Sequence, residues 1–315
     1  MRPQVASRVT VIGGGPAGAS AAITAFDLGA DVTVYEKSRF PRHKVCGEYL
    51  SPEILPLLES LGVRVEGPRL TRLGLHFPRA SKRCLLPESA RGFSRYSLDA
   101  LLLGRVARVE RERAEPAPGD VVAYGRQASA TGIRQFGFKA HFTGPQADSI
   151  ELFFFQGCYV GVNAIEDGRT NVCGLGPEDV LRRCAFEPDA LLESFAPLRE
   201  RTRPLSRAMD WLTTGPLAYV QRRSGEHYLA GDALSFVDPF TGSGLLGAVM
   251  SGISAGRAAA LGEPVEVHNR RCSGALRQPF LVSSLIRASI RQGWADLVLP
   301  VIPGSWLVQT TRPRV

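Results

Sequence analysis

Residues 11–20 read VIGGGPAGAS. Gly13, Gly15 and Gly18 stand at GxGxxG spacing, with Pro16 at the start of a small-residue run. Glycine is common in this chain, 33 of 315 residues, so the spacing alone decides little. The flanks decide it. Residues 8–12, RVTVI, form a β-branched run that fits a buried parallel strand. Residues 16–29, PAGASAAITAFDLG, open with proline and close with glycine, as helices do. Residues 31–36, DVTVYE, form a second strand. Strand, tight turn, helix and strand within about 30 residues make a βαβ unit. Gly13 then permits the turn, Gly15 lets backbone N–H groups reach a pyrophosphate, and Gly18 lets the helix lie close to the sheet. The positive end of the helix dipole, with Pro16 and Ala17 at its start, faces the phosphates. Glu36 ends the second strand, placed to accept bonds from ribose hydroxyls and to disfavour a 2′-phosphorylated ribose. The site reads as a dinucleotide pocket. Whether it takes FAD or NAD is left open by the motif itself.

Composition narrows the rest. Hydrophobic residues make up 44% and charged residues 22%, a globular profile, and the length suits one large domain or two interleaved ones. The net charge is +8, with 38 basic against 30 acidic residues, but the basic residues are scattered and not interleaved with aromatics. Nucleic acid is therefore not expected, whereas anionic cofactors or anionic lipid surfaces suit the charge. Six widely spaced cysteines form no CxxC or Cys/His ligand pair, so no metal site is expected. No signal-peptide pattern and no apolar run of about 18 residues is read, and a cytoplasmic, reducing setting is expected. The apolar stretch 294–308, WADLVLPVIPGSWLV, is broken by Pro300 and Pro303. It fits packing on the core better than a peripheral membrane contact.

Three further blocks follow the fingerprint: PRHKVCGEYLSP (41–52), FSRYSLDALLL (93–103) and LAGDALSFVDPFTGSGLLGAVMSG (229–252). With the N-terminal motif, and in this order, they resemble FAD-dependent oxidoreductases of the geranylgeranyl reductase-like family. That family belongs to the larger group with the p-hydroxybenzoate hydroxylase-type fold, which includes flavin monooxygenases and halogenases. The resemblance implies FAD as cofactor, held by Gly13, Gly15, Pro16, Ala17, Gly18, Glu36 and the adjoining Lys37. It also implies that the loop with Arg42, Lys44 and Cys46 runs beside the flavin, and that Arg95 lies near the phosphate or ribityl chain. Gly231–Asp232 would meet the ribityl chain, Asp232 accepting a bond from a hydroxyl. Pro239 and the helix start at Gly242, Ser243, Gly244 and Leu245 would aim N–H donors at the pyrimidine edge of the ring. Ordinary alternatives stand beside these: a turn aspartate, a surface arginine, a glycine-rich turn before a core helix. Arg95 is expected just before an amphipathic helix with Leu98, Leu101 and Leu102 inward.

The expected fold class is α/β: a Rossmann-like FAD-binding domain, an interleaved antiparallel sheet for the substrate, and a helical C-terminus. The expected boundaries are 1–132 with 221–262 for the FAD domain, 133–220 for the sheet, and 263–315 for the helices. Strand-like runs at 137–142, 150–175 and 215–220 surround a turn at Glu166-Asp167-Gly168. In the resembled fold this sheet walls the substrate cavity, with Phe138, His141, Phe153, Phe155 and Tyr159 as wall candidates. Alternation puts Phe153 and Phe155 on one face and Phe154 on the other. The catalytic residues are unknown. Cys46 and His141 are weak candidates, the first as a thiol near the ring, the second as an acid or base or simply a satisfied strand histidine.

Two departures from the resembled pattern stand out. Tyr124, in VVAYGRQAS (121–129), occupies the place of the usual acid before a glycine, and the 104–132 segment is shortened, as though a small β-meander were cut down. The WxWxIP stretch of halogenases and a YxWxFP-type prenyl stretch are both missing. The expected function is an NAD(P)H-dependent FAD monooxygenase, with NAD(P)H as transient reductant, hydroxylating a hydrophobic aromatic or polyketide-like small molecule. The alternatives are reduction of isoprenoid carbon–carbon double bonds and a degenerate flavoprotein without catalysis.

Overall fold

A computed structural model describes residues 8–126, 134–217, 219–294 and 310–313. The fingerprint region folds as read. Strand β1 (Arg8–Ile12), helix α1 (Pro16–Asp27) and strand β2 (Asp31–Tyr35) form a βαβ unit, with β1 and β2 parallel from Arg8↔Asp31 to Ile12↔Tyr35. Next come β3 (Tyr49–Leu50), α2 (Ile54–Ser60), β4 (Arg69–His76), β5 (Ser81–Gly92) and α3 (Arg95–Leu103). β6 (Val109–Glu110) and β7 (Val121–Val122) follow. Then come β8 (Gln135–Thr143), β9 (Ser149–Phe155), β10 (Cys158–Ile165) and β11 (Arg169–Pro177). Short helices α4 (Glu178–Arg183), α5 (Pro188–Glu193) and α6 (Ala196–Thr202) precede β12 (Ser206–Arg207), β13 (Leu212–Thr214) and β14 (Tyr228–Leu229). Two long helices follow, α7 (Gly244–Leu261) and α8 (Val265–Arg291).

The strands form two sheets. The smaller is parallel throughout, in the order β14-β7-β1-β2-β6. The shortened segment thus still delivers both of its strands: β6 flanks β2, β7 flanks β1, and residues 111–120 bridge them. Among the described residues the parallel sheet has five strands. Helices α1 and α7 pack together and on this sheet through small residues. A Cβ on Gly252 would lie 2.2 Å from the Ala17 carbonyl oxygen, and one on Gly256 would lie 2.1 Å from that of Ala21. Glycine four residues apart therefore lets the two backbones touch. α7 is long and apolar enough by composition to cross a membrane, but 61% of that window is buried inside the protein, against α1 and the core.

The larger sheet runs β12-β8-β11-β10-β9-β4-β5-β3, with β13 also on β8. It is antiparallel except where β4 lies parallel to β9. It draws strands from 49–92 as well as from 135–214, so the two halves of the fold are more interwoven than separate stretches of chain suggest. Its two faces differ. Phe138, Ala140, Phe142, Phe153, Phe155, Val160 and Val172 pack under α4, α5 and α6. The opposite face carries Lys139, His141, Asn171 and Cys173, then Phe154 and Tyr159 packed with Phe236 and Ile290. This corrects the expected wall. Phe138, Phe153 and Phe155 lie beneath the helices, while His141, Phe154 and Tyr159 face the other way. Every residue in the run Phe153-Phe154-Phe155 is buried, one face by helices and the other by aromatics, so polarity gave no cue to orientation.

Candidate cofactor cleft

The turn after β1 is shaped by its glycines. Gly13 has φ +103°, and a Cβ there would lie 2.6 Å from the Ala123 carbonyl oxygen. A Cβ on Gly18 would lie 1.7 Å from the Gly13 carbonyl oxygen, so only glycine lets α1 sit this close. Gly15 is different. It caps α1 with φ −72° and ψ −175°, and a Cβ there would meet only Lys44 Nζ, at 3.8 Å. The space over Gly15 is an open cradle with an ammonium at its rim. α1 has no side-chain cap; its first intrahelical bond, from Ala19 N to the Gly15 carbonyl, leaves the N–H groups of Ala17 and Gly18 available. Glu36 is buried and accepts from Gly14 N (2.9 Å) and Ser38 N (2.7 Å), which fixes its carboxylate beside the turn. Lys37 and Arg42 are exposed, Arg42 stacking over the Phe40 ring. The structure therefore leaves these two exposed and brings Lys44 to the edge of the cradle.

α3 supplies the next part. Arg95 is its first residue, and Ser94 caps the helix by accepting from Ser97 N. Leu98 and Leu102 are buried as expected, but Leu101 is exposed, so the inward stripe is narrower than read. Arg95 is held by buried Asp99 through Nε (2.5 Å) and Nη2 (2.7 Å), and Lys44 Nζ lies 3.3 Å from the same carboxylate. Burial pushes the Asp99 carboxyl up, but Arg95 and Lys44 outweigh it and hold it below its ordinary value. Burial and the nearby Arg95 guanidinium lower Lys44, with Asp99 opposing.

The third part comes from 229–245. Gly231–Ala233 is a single 3₁₀ turn with Gly231 at φ +60°, and Gly231 N donates to Ser251 Oγ at 2.8 Å. Asp232 accepts no described hydrogen bond. Burial raises its carboxyl, against the pull of Arg126, Arg95 and Lys44 around it. Pro239–Thr241 forms a second 3₁₀ turn ending at Gly242, φ +65°, where a Cβ would lie 2.8 Å from the Tyr49 ring. α7 starts at Gly244 behind Ser243, again without a side-chain cap. Its first intrahelical bond, Gly247 N to the Ser243 carbonyl, leaves the Gly244 and Leu245 N–H groups available.

The remaining residues sit between these parts and the large sheet. Cys46 is half-buried; its Sγ accepts from Glu48 N at 3.4 Å and its carbonyl from Asn171 Nδ2 at 3.1 Å. His141 is buried, with Nε2 2.7 Å from Glu48 Oε2 and no described partner on Nδ1. Tyr124 is exposed, with its backbone against the Gly13 turn. Sequence reasoning missed Glu48, Asp99, Lys139 and Arg126. Glu48 lay inside the quoted loop. Lys139 carried a signal, a charged residue alternating with Phe138, Ala140 and Phe142 in a strand.

The open cradle, the ammonium at its rim, the buried acid beside the turn, the unpartnered Asp232 and two uncapped helix starts suit a flavin dinucleotide. Comparison with known proteins finds flavin-dependent enzymes among those that share this fold. Residues 3–53 match the family model for the alanine dehydrogenase/PNT C-terminal domain. Menaquinone reductase of Mycolicibacterium smegmatis is 46% identical over 55 residues, which is 18% of this chain and 13% of that protein. The chain thus matches only a small part of this curated relative's length. Over the whole fold, a flavin-dependent brominase superposes with TM-score 0.77 at 18% identity, covering 91% of this chain and 88% of its own. A geranylgeranyl bacteriochlorophyll reductase-like protein of Thermoplasma acidophilum superposes with TM-score 0.69 at 16% identity, covering 96% and 90%. The chain shares its fold with flavin-dependent halogenases and geranylgeranyl reductase-like proteins across nearly its whole length, and the resemblance to FAD-dependent oxidoreductases read from its sequence holds.

Proposed function

We propose that this protein is an FAD-dependent oxidoreductase acting on a hydrophobic small molecule. The observation that carries the reading is the cleft over Gly15, where Lys44, Arg95 and Arg126 gather around an open glycine cradle and the unpartnered Asp232. Ala17 and Gly18 N–H groups with Lys44 would hold the pyrophosphate, Glu36 the ribose, Asp232 the ribityl chain, and the Gly244 and Leu245 N–H groups the ring's pyrimidine edge. Bound FAD supplies two-electron chemistry and, in a monooxygenase, the activation of oxygen. The chain's part is orientation and exclusion of water. Phe240, in the Pro239–Thr241 turn, meets Phe154 and Tyr159 edge to face, with ring centroids 6.1 and 5.6 Å away. This buried aromatic cluster next to the turn fits an apolar, aromatic or polyketide-like substrate, hydroxylated with NAD(P)H as reductant. The second reading is reduction of isoprenoid double bonds, favoured by the reductase names among the similar proteins. Anaerobic reduction of the FAD-loaded protein by NADH or NADPH, followed by oxygen uptake with aromatic substrates, tests this. Uptake matched by hydroxylated product supports the first reading, and substrate-dependent NAD(P)H oxidation without uptake supports the second. Neither outcome in a protein that holds FAD refutes both.

A further inference from the structure

Residues 44–48 form a short arch pinned at both ends to α3. Lys44 meets Asp99 at one end, and at the other the Glu48 carboxylate accepts from Arg95 N at 2.8 Å. The crown of the arch, the Cys46 carbonyl, is held by Asn171 of β11. Glu48 is fully buried, and it is not glycine although its φ is +53°. A left-handed side-chain residue persists where its surroundings over-determine it. Here they do. Lys139 Nζ donates to Oε1, His141 Nε2 lies 2.7 Å from Oε2, and the Glu48 carbonyl accepts from Phe93 N at 3.0 Å. Lys139 is also fully buried, so its ammonium depends on this carboxylate. Burial pushes the Glu48 carboxyl up, but the bonds from His141 and Lys139 outweigh it and keep it ionised.

We propose that Glu48, Lys139 and His141 are positioning residues: a buried charge clamp between the large sheet and α3 that holds the 44–48 arch so that Lys44 stands over Gly15 and Cys46 beside the cofactor cleft. The clamp joins residues 91 and 93 positions apart and so ties the sheet to α3, which the Ser94–Glu166 hydrogen bonds also do from the β10–β11 end. The arch's effect on FAD rests on the proposed function; the arch's position does not.

Three variants and two readouts test it. In Lys139→Met, Glu48 is left buried without its ammonium. The clamp predicts that Cys46 in the FAD-free protein reacts about tenfold faster with iodoacetamide, as local opening exposes it. It also predicts FAD binding weakened by about tenfold and a shifted visible spectrum of the bound flavin. In Glu48→Gln/Lys139→Met the clamp is gone but no charge is left buried and unpaired, so the proposal predicts that both readouts stay displaced, within about threefold of Lys139→Met. A folded Lys139→Met with parental Cys46 reactivity and FAD affinity overturns the proposal. So does a double variant restored to parental Cys46 reactivity and FAD affinity, which would trace the effect to an unpaired buried charge and not to the lost clamp. If Lys139→Met does not fold, His141→Asn decides: it removes one bond to Glu48 and keeps the charge pair, so unchanged Cys46 reactivity overturns the clamp and faster reaction supports it. A parent protein that takes up no FAD sinks the flavin reading alone, since Cys46 reactivity still decides the clamp.

Discussion

Gly15 and Gly18 sit three residues apart in the same motif, and the structure assigns them opposite jobs. Gly15 has backbone angles open to any residue, and its missing Cβ points into space. Gly15→Ala should therefore leave the FAD-free protein as stable as the parent, or more stable by about 0.4–1 kcal/mol through the unfolded chain. On the FAD reading, that Cβ would stand where a phosphate oxygen approaches the first N–H groups of α1. Losing one charge-assisted hydrogen bond there costs about 1.5–3 kcal/mol, roughly a 10- to 150-fold rise in the Kd for FAD. Gly18→Ala should do the reverse. Its Cβ would lie 1.7 Å from the Gly13 carbonyl oxygen, so α1 must move, at a cost of about 1–3 kcal/mol or more. The assay is paired: thermal melting without FAD, and FAD titration followed by quenching of flavin fluorescence. Gly15→Ala that binds FAD like the parent refutes the cradle. Gly15→Ala that melts as low as Gly18→Ala refutes the assignment of roles.

Other expectations follow from particular contacts. Burial raises the Asp238 carboxyl to about 6, outweighing Arg287, whose Nη1 lies 3.0 Å away. Unfolded, the group titrates near 4, so between about pH 4 and 6 the folded protein holds a proton that the unfolded chain has released. Stability from this group is full below about pH 4 and falls by roughly 3 kcal/mol as pH rises to about 6; Asp238→Asn should flatten that part of the pH–stability curve, and an unchanged slope refutes the assignment. Glu36→Ala leaves the Gly14 and Ser38 N–H groups without their acceptor and should lower stability by about 1–3 kcal/mol while weakening FAD binding, read by melting and titration. Gly252→Ala drives a methyl to 2.2 Å from the Ala17 carbonyl and should cost about 1–3 kcal/mol by chemical denaturation; a neutral result contradicts the α1–α7 contact.

What the sequence made legible was local. The βαβ unit showed because glycine, proline and β-branched residues punctuate it within about 30 residues. The turn at Asp167-Gly168 showed for the same reason, and it joins β10 to β11. What stayed hidden was non-local. Nothing near Glu48 announces that its partners are Lys139 and His141, on β8 and more than 90 residues along the chain. Asp99 reads as one half of an ordinary i, i+4 pair with Arg95 and gives no sign that Lys44 completes it in a buried cluster. Strands β4 and β5 belong to the large sheet although they lie between segments of the nucleotide-binding half, a crossover no local pattern encodes. Leu101 fitted the helical stripe but faces outward, because α3 buries only the edge that meets α1 and α2.

The central claim is that the cleft over Gly15 holds FAD, although the sequence resemblance puts Tyr124 where an acid is usual and implies a short 104–132 segment. The direct measurement is the visible absorbance spectrum of the purified protein after incubation with FAD and desalting. The account predicts the two bands of an oxidised flavin, at one flavin per chain, lost in Gly15→Ala. A colourless protein that is folded by circular dichroism would contradict it.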